Sequence, residues 1–155
     1  AMTALYCPNI NSYKRAVPGV WSPINVSWGI ENRTTAVRAI PGNSPGAARL
    51  ECRLPGADAN PYLAMAAALA SGLYGINKGL TPPSATAGNA YEAEDLTALP
   101  PNLSASTALL IANPDARAYL TDTFVDHYVM TREYEVRRYE KAVTDWELAR
   151  YFEVT

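Results

Sequence analysis

The stretch "ARLECRLPGADANPYL" (Ala48–Leu63) contains the change of period on which the fold turns. Its first half alternates: Arg49, Glu51 and Arg53 share one parity, and Leu50, Cys52 and Leu54 the other. Alternate residues of a strand point to opposite faces, so the pattern predicts a strand with one charged face and one apolar face turned to the core. Pro55-Gly56 ends it. Asn60 is then placed to cap a helix whose first residue, Pro61, has no N–H to leave unsatisfied. "YLAMAAALASGLYGI" (Tyr62–Ile76) follows, apolar nearly all round. That predicts a helix buried on most sides, its alanines admitting neighbouring backbone closely. Gly79 suits its C-terminal stop.

Upstream, the chain reads as strands and turns. Pro8, Pro18-Gly19, Pro23, Pro41-Gly42 and Pro45-Gly46 punctuate short segments. Ile24–Ile30, Thr34–Ile40 and Ala48–Leu54 are β-branched or alternating and predict three strands, the last two joined by a mobile-looking loop. Glu31-Asn32-Arg33 reads as a tight polar turn or strand end, and Asn11–Gly19 as a second polar turn. Downstream, residues 80–102 are rich in Pro, Ser, Thr, Ala and Gly and predict a long irregular surface connection. Asn102–Asn113 predicts a short helix stopped near Pro114, where another begins. From about Thr121 a long helix follows, with Val125, Val129, Val136, Tyr139 and Val143 at three- and four-residue steps and Arg132 interrupting. Glu133 and Arg137 form an i,i+4 pair on a solvated face. Thr144 to Glu147 has the spacing of a capping box for a last short helix. The fold class is α+β, a few antiparallel strands packed with helices.

With 155 residues the chain has the length of one domain, and a chain of this size buries roughly 70% of its unfolded surface. At 48% hydrophobic and 18% charged residues it is globular rather than disordered. No uninterrupted apolar run is long enough to span a bilayer, and no basic-then-apolar start reads as a signal peptide. Cys7 and Cys52 lie outside any CxxC spacing and read as buried, reduced thiols of a cytoplasmic protein. A single His, His127, excludes an all-His metal site and a Ser-His nucleophile pair near the basic part of the chain. Residues 1–56 carry six cations (Lys14, Arg15, Arg33, Arg38, Arg49, Arg53) against Glu31 and Glu51, a net of +4 in a chain of net −2, so the remainder carries −6. Five of the six are Arg, whose planar fork suits carboxylates and phosphates. Nucleic acid would ask for more charge, more Lys and interleaved aromatics. A small anionic ligand fits better.

The charged parity of the third strand has two readings. One is a solvent-facing strip of cross-paired charges. The other is an anion pocket in which Glu51, kept ionised by its cationic neighbours, could ligate Mg²⁺ or Mn²⁺, with Arg33 and Arg38 facing the same space.

The ordered set "NSYKR" (Asn11–Arg15), Pro18-Gly19, Trp28-Gly29 with "NRT" (Asn32–Thr34) and Arg38, then Arg49-x-Glu51-x-Arg53 leading into "PGADANPYL", resembles the glutamine synthetase family. The resemblance is densest from Asn11 to Ile76, weakens through 80–100, and returns in "LPPNLSAS" (Leu99–Ser106) and "DWELARY" (Asp145–Tyr151). It implies the C-terminal part of that family's catalytic domain, and an ATP-dependent ligase that phosphorylates the side-chain carboxylate of glutamate before an amine displaces the phosphate. By position, Arg15 matches the arginine on the glutamate α-carboxylate. Arg33 matches one that stabilises the transferring phosphoryl group, and Arg38 and Arg49 match arginines lining the nucleotide phosphates. Glu51 matches a metal ligand at the phosphoryl-transfer site, and Arg53 matches an arginine that contacts both the glutamate side-chain end and the phosphate. Glutamate, ATP, a divalent ion (Mg²⁺ or Mn²⁺) and an amine or ammonia are the implied partners, in a ring of subunits; nucleic acid and membrane are not.

Two departures follow from the same resemblance. Ammonia-using members carry a Glu two residues past the Gly of "KRAVPG", on a flap that closes the site and takes a proton from ammonium; here that residue is Trp21. An aromatic group there favours a bulkier, partly apolar amine, as in the γ-glutamylamine synthetase-like branch, or serves as packing in a redesigned flap. The family's other metal-binding carboxylates, its metal His, its glycine-rich nucleotide segment and its small N-terminal domain belong upstream of "NSYKR" and are absent here. Residues 3–155 therefore read as a C-terminal fragment behind a cloning scar at Ala1-Met2, inactive alone. The alternative is a catalytically silent glutamine synthetase-like scaffold protein; the retained Arg15, Arg33, Arg49, Glu51 and Arg53 argue against it.

Overall fold

The computed structural model describes residues 1–154. Three short strands, β1 (Trp28–Ile30), β2 (Val37–Ile40) and β3 (Arg49–Cys52), form one sheet in the order β1-β2-β3. Six α-helices flank and follow it: α1 (Thr3–Tyr6), α2 (Pro61–Asn77), α3 (Leu103–Ile111), α4 (Pro114–Leu120), α5 (Asp122–Glu140) and α6 (Asp145–Tyr151). No helix of the described residues is long and apolar enough to cross a membrane.

β2 and β3 pair antiparallel, as expected, with Arg38 opposite Glu51. β1 runs parallel to β2, with Gly29 opposite Arg38, so the sheet is mixed. Parallel neighbours ordinarily need a long crossover. Here β1 is three residues, about 10 Å of chain, and a short loop retraces that length. The loop is built by Asn32, whose Oδ1 accepts from the Thr34 N–H (3.0 Å) and hydroxyl (2.7 Å).

The connection over residues 80–102 is irregular, as expected, but it is tied to the sheet. The Thr86 N–H donates to the Trp28 carbonyl (2.8 Å), Val26 and Leu99 pair with Thr97 and Ile24, and Asn32 Nδ2 donates to the carbonyls of Thr86 (3.1 Å) and Gly88 (2.8 Å). Gly29 is required beneath this segment, since a Cβ there would stand 2.9 Å from the Thr86 carbonyl oxygen.

The core lies among the helices. Leu5, Leu103, Leu110 and Val125 are fully buried where α1, α3 and α5 meet. Tyr128 closes it by donating its hydroxyl to the Ala4 carbonyl (2.8 Å). Arg132, the interruption in the α5 stripe, lies over the Tyr128 ring and donates to the Pro8 carbonyl (2.6 Å), so its stem packs while its charge is satisfied.

Several local expectations hold. Asn60 Oδ1 caps α2 through the N–H groups of Tyr62 and Leu63. Gly79, at φ +60°, ends α2, with Leu80 N–H reaching the Gly75 carbonyl and Gly79 N–H reaching Ile76. Thr144 and Glu147 form the capping box of α6. Two burial expectations fail. Leu50 is 74% exposed and Cys52 is exposed, so of the apolar parity only Leu54, just past β3, packs against the core. Of α2, only Ala67 and Ala70 are buried; Tyr62, Met65, Leu69 and Ile76 face outward. Both have one cause: neighbouring elements cover only one side of each segment, α2 packing on α1 and α4 with Tyr74 edge-on to Tyr119.

Candidate active site

Glu51 is the hub of the charged face. Antiparallel register sets it opposite Arg38, and strand alternation sets Arg53 beside it. Its Oε2 accepts from Arg38 Nη1 at 3.2 Å and its Oε1 from Arg53 Nη1 at 2.9 Å. Partial desolvation works against its ionisation, but the Arg38 hydrogen bond and the charges of Arg53 and Arg38 outweigh it and hold the carboxyl below the usual range.

Arg38 is shared. Its Nε donates to Glu31 Oε2 at 3.0 Å, and its Nη2 contacts the same oxygen. Glu31, a turn residue by its local sequence, therefore joins the charged network. The signal for it is the parallel register, which brings the end of β1 alongside Arg38; nothing in the local sequence announces that pairing.

Arg53 ties the sheet to the loop after "NSYKR". Its Nη2 donates to the Trp21 carbonyl at 2.8 Å, and its buried Nε has no partner among the described residues. Trp21 adopts φ +59°, and the residue is 62% exposed.

"NSYKR" lies in a 3₁₀ helix (Ile10–Arg15) rather than a simple turn, closed at its start by the Asn9 N–H donating to Ser12 Oγ (3.0 Å) and the Ser12 N–H donating to the Asn9 carbonyl (3.1 Å). Arg15 donates to the carbonyls of Leu54 (3.0 Å) and Arg53 (3.3 Å), fixing the end of β3. Asp58 braces the same corner by accepting from Ser12 Oγ (2.6 Å) and Asn9 Nδ2 (3.2 Å). Partial desolvation again opposes ionisation, and these hydrogen bonds overcome it, so the Asp58 carboxyl is lowered. Gly56 lies close to the same carboxylate: a Cβ would stand 2.5 Å from Asp58 Oδ1, so a side chain there would push the Asp58 carboxylate aside.

The other two arginines stand apart from this network. Arg33, exposed in the turn after β1, lines an open cavity of about 430 Å³ with Trp21, Ile30, Glu31, Thr86 and Gly88. Arg49 is exposed and donates to the Ala47 carbonyl (3.0 Å) rather than reaching Glu51. The structure thus joins Arg15, Trp21, Arg38, Glu51 and Arg53 by direct contacts, places Arg33 on an adjoining cavity, and leaves Arg49 at the strand end.

As a divalent-cation site the arrangement is incomplete. A hard cation takes about six oxygens. Among the described residues no group of three or more His, Cys, Asp or Glu side chains could hold one. Glu51 offers one carboxylate, already hydrogen-bonded on both oxygens. The arrangement does concentrate guanidinium groups around an ionised carboxylate beside an open cavity, which suits a carboxylate or phosphoryl ligand.

The model of the glutamine synthetase catalytic domain matches residues 1–151. The chain belongs to the glutamine synthetase family. Among relatives, it is 43% identical to a glutamate–isopropylamine ligase of a Pseudomonas species, over 99% of this chain and 34% of that protein. It is 44% identical to the γ-glutamylethanolamide synthetase of Streptomyces coelicolor, over 96% of this chain and 32% of that protein. The solved structure of GmaS with ADP superposes on 98% of this chain and 36% of its own with a TM-score of 0.85, at 34% identity. The chain thus spans about a third of the length of the glutamine synthetase relatives it matches. Both the α+β architecture and the family expected from "NSYKR", "NRT" and Arg49-x-Glu51-x-Arg53 are those found.

Proposed function

We propose that this chain is the C-terminal part, residues 3–155, of an ATP-dependent ligase that joins the γ-carboxylate of glutamate to an amine larger than ammonia, through a γ-glutamyl phosphate. The observation that carries the amine preference is Trp21. It is exposed and shares the wall of one cavity with Arg33. An indole at that wall supplies apolar surface to an alkyl group, surface that ammonia has no carbon to use. Relatives named as isopropylamine, ethanolamide and putrescine ligases support the reading.

In this reading the residues divide the chemistry by position. Arg15 and Arg53 bind glutamate, Arg53 also meeting the phosphate. Arg38 and Arg49 line the nucleotide phosphates, and Arg33 stabilises the transferring phosphoryl group. Fixed cations aimed at developing phosphoryl charge lower the barrier without reorganising at the moment of reaction. The divalent ion, Mg²⁺ or Mn²⁺, would neutralise phosphate charge. Glu51 would be one of its ligands, and the others lie outside this chain, which is therefore inactive alone. We place the whole protein in the cytoplasm as a ring of subunits.

The test is the full-length protein with ATP, glutamate and a panel of amines, followed by ADP release and γ-glutamyl amide formation. Turnover with an alkylamine above that with ammonia is expected. Equal or better turnover with ammonia would overturn the role given to Trp21, and no amine-dependent ADP release would overturn the ligase reading itself.

A further inference from the structure

We propose that Glu31 and Trp21 together form the subsite for a protonated primary alkylamine, with Glu31 as its specificity-determining carboxylate; this rests on the ligase reading above. Both residues line the cavity of about 430 Å³ that also contains Arg33. Both hold backbone conformations that non-glycine residues seldom adopt, φ +59° at Trp21 and +52° at Glu31. Such strain persists where the surrounding structure imposes it, and it concentrates at ligand clamps and active sites. Only one other non-glycine residue of the described chain, Thr121, has positive φ, and it caps α5.

Glu31 is anchored on one side and open on the other. Both contacts to Arg38 use Oε2. Among the described residues no hydrogen bond is made to Oε1, and the Glu31 side chain keeps 49% of its exposure. Arg38 thus fixes the carboxylate without consuming it. A primary ammonium has three donors and a compact charge, and it binds a fixed carboxylate oxygen well. The face of an indole attracts the same cation and covers the attached carbons. Ile30, also exposed on this wall, extends the apolar surface.

The neighbouring Arg33 completes the logic. The bound ammonium must give a proton to solvent through the open cavity before its nitrogen displaces phosphate from the acyl phosphate, so one cavity needs a cation-binding side and an anion-binding side. Glu31 with Trp21 provides the first and Arg33 the second.

The experiment uses the full-length protein, with steady-state kinetics on an alkylamine series and on glutamate and ATP. Glu31→Gln is expected to raise the amine KM by about tenfold or more, with kcat changed far less and the KM values for glutamate and ATP unmoved, as for loss of a charge-assisted hydrogen bond to one substrate. Glu31→Asp, which keeps the charge, should recover part of that loss. Trp21→Ala should reduce the preference for alkylamines over ammonia. An active wild type whose amine KM ignores Glu31→Gln would overturn the subsite and leave the ligase reading standing. So would an equal rise in the KM for ATP, which would make Glu31 a support for Arg38 only. A wild type with no amine-dependent turnover would overturn both.

Discussion

Arg53 is where the separate segments of the site meet: one nitrogen on Glu51, one on the Trp21 carbonyl, its own carbonyl held by Arg15. Glu51 in turn stands between two guanidinium groups, and removing its charge leaves them facing each other. A carboxyl lowered in the folded state contributes stability that is present above its unfolded value, about 4.3 for Glu, and is lost as pH falls through the folded value. Glu51→Gln should therefore lower the melting temperature near neutrality, and the gap to wild type should narrow as pH falls below the unfolded value and close once it passes the lowered folded value. Paired thermal melts across pH check this; a gap that does not change with pH would refute the coupling. The cysteines give a second residue-scale outcome. Burial pushes the Cys7 thiol up to about 11, whereas Cys52 is exposed. A thiol reagent at pH 8 should modify Cys52 in the native chain and reach Cys7 only on unfolding, read by mass spectrometry.

At the scale of elements, the caps carry much of the definition. Asn60 satisfies two orphan N–H groups of α2, so Asn60→Ala should cost about 1 kcal/mol in denaturant unfolding. Asn32 pins the 86–88 segment through two hydrogen bonds to backbone carbonyls. Asn32→Ala should speed amide exchange at Thr86 and its neighbours while leaving α5 protected; unchanged exchange would mean that the Trp28 contact suffices. These elements were legible because their signals are local. Asn60-Pro61, Thr144-x-x-Glu147 and Pro114 each act within one turn of chain. Glu31 was illegible as a site residue because its partner, Arg38, is reached through a parallel pairing that no local pattern announces.

Across the whole molecule, the helical core is separate from the sheet that carries the site. Leu110 is fully buried in that core, and Leu110→Ala should cost 2–5 kcal/mol, roughly the range for a buried Leu truncation. The outward face of α2 is a different matter. Tyr62, Met65, Leu69, Leu73 and Ile76 recur at three- and four-residue steps and form one exposed apolar stripe. A stripe of this kind promotes association, so this chain should show concentration-dependent self-association by sedimentation. The paired substitution of Met65 and Leu69 by Glu should suppress it.

The sequence by itself determined where the helices from Asn60 onward begin and which residue types gather near Glu51, but not α1, the 3₁₀ helix at Ile10–Arg15 or the short extent of the strands. Caps, turns and alternation are short-range physics, and the ordered arginine motifs identified the family. Tertiary structure decided which faces are covered and which charges touch. Leu50, Cys52 and the stripe on α2 are apolar by composition yet exposed, because burial depends on what packs against a face and not on the face itself. Likewise only the mixed pairing of the sheet gives Arg38 two carboxylates, and only the fold of the loops sets Trp21, Glu31 and Arg33 around one cavity.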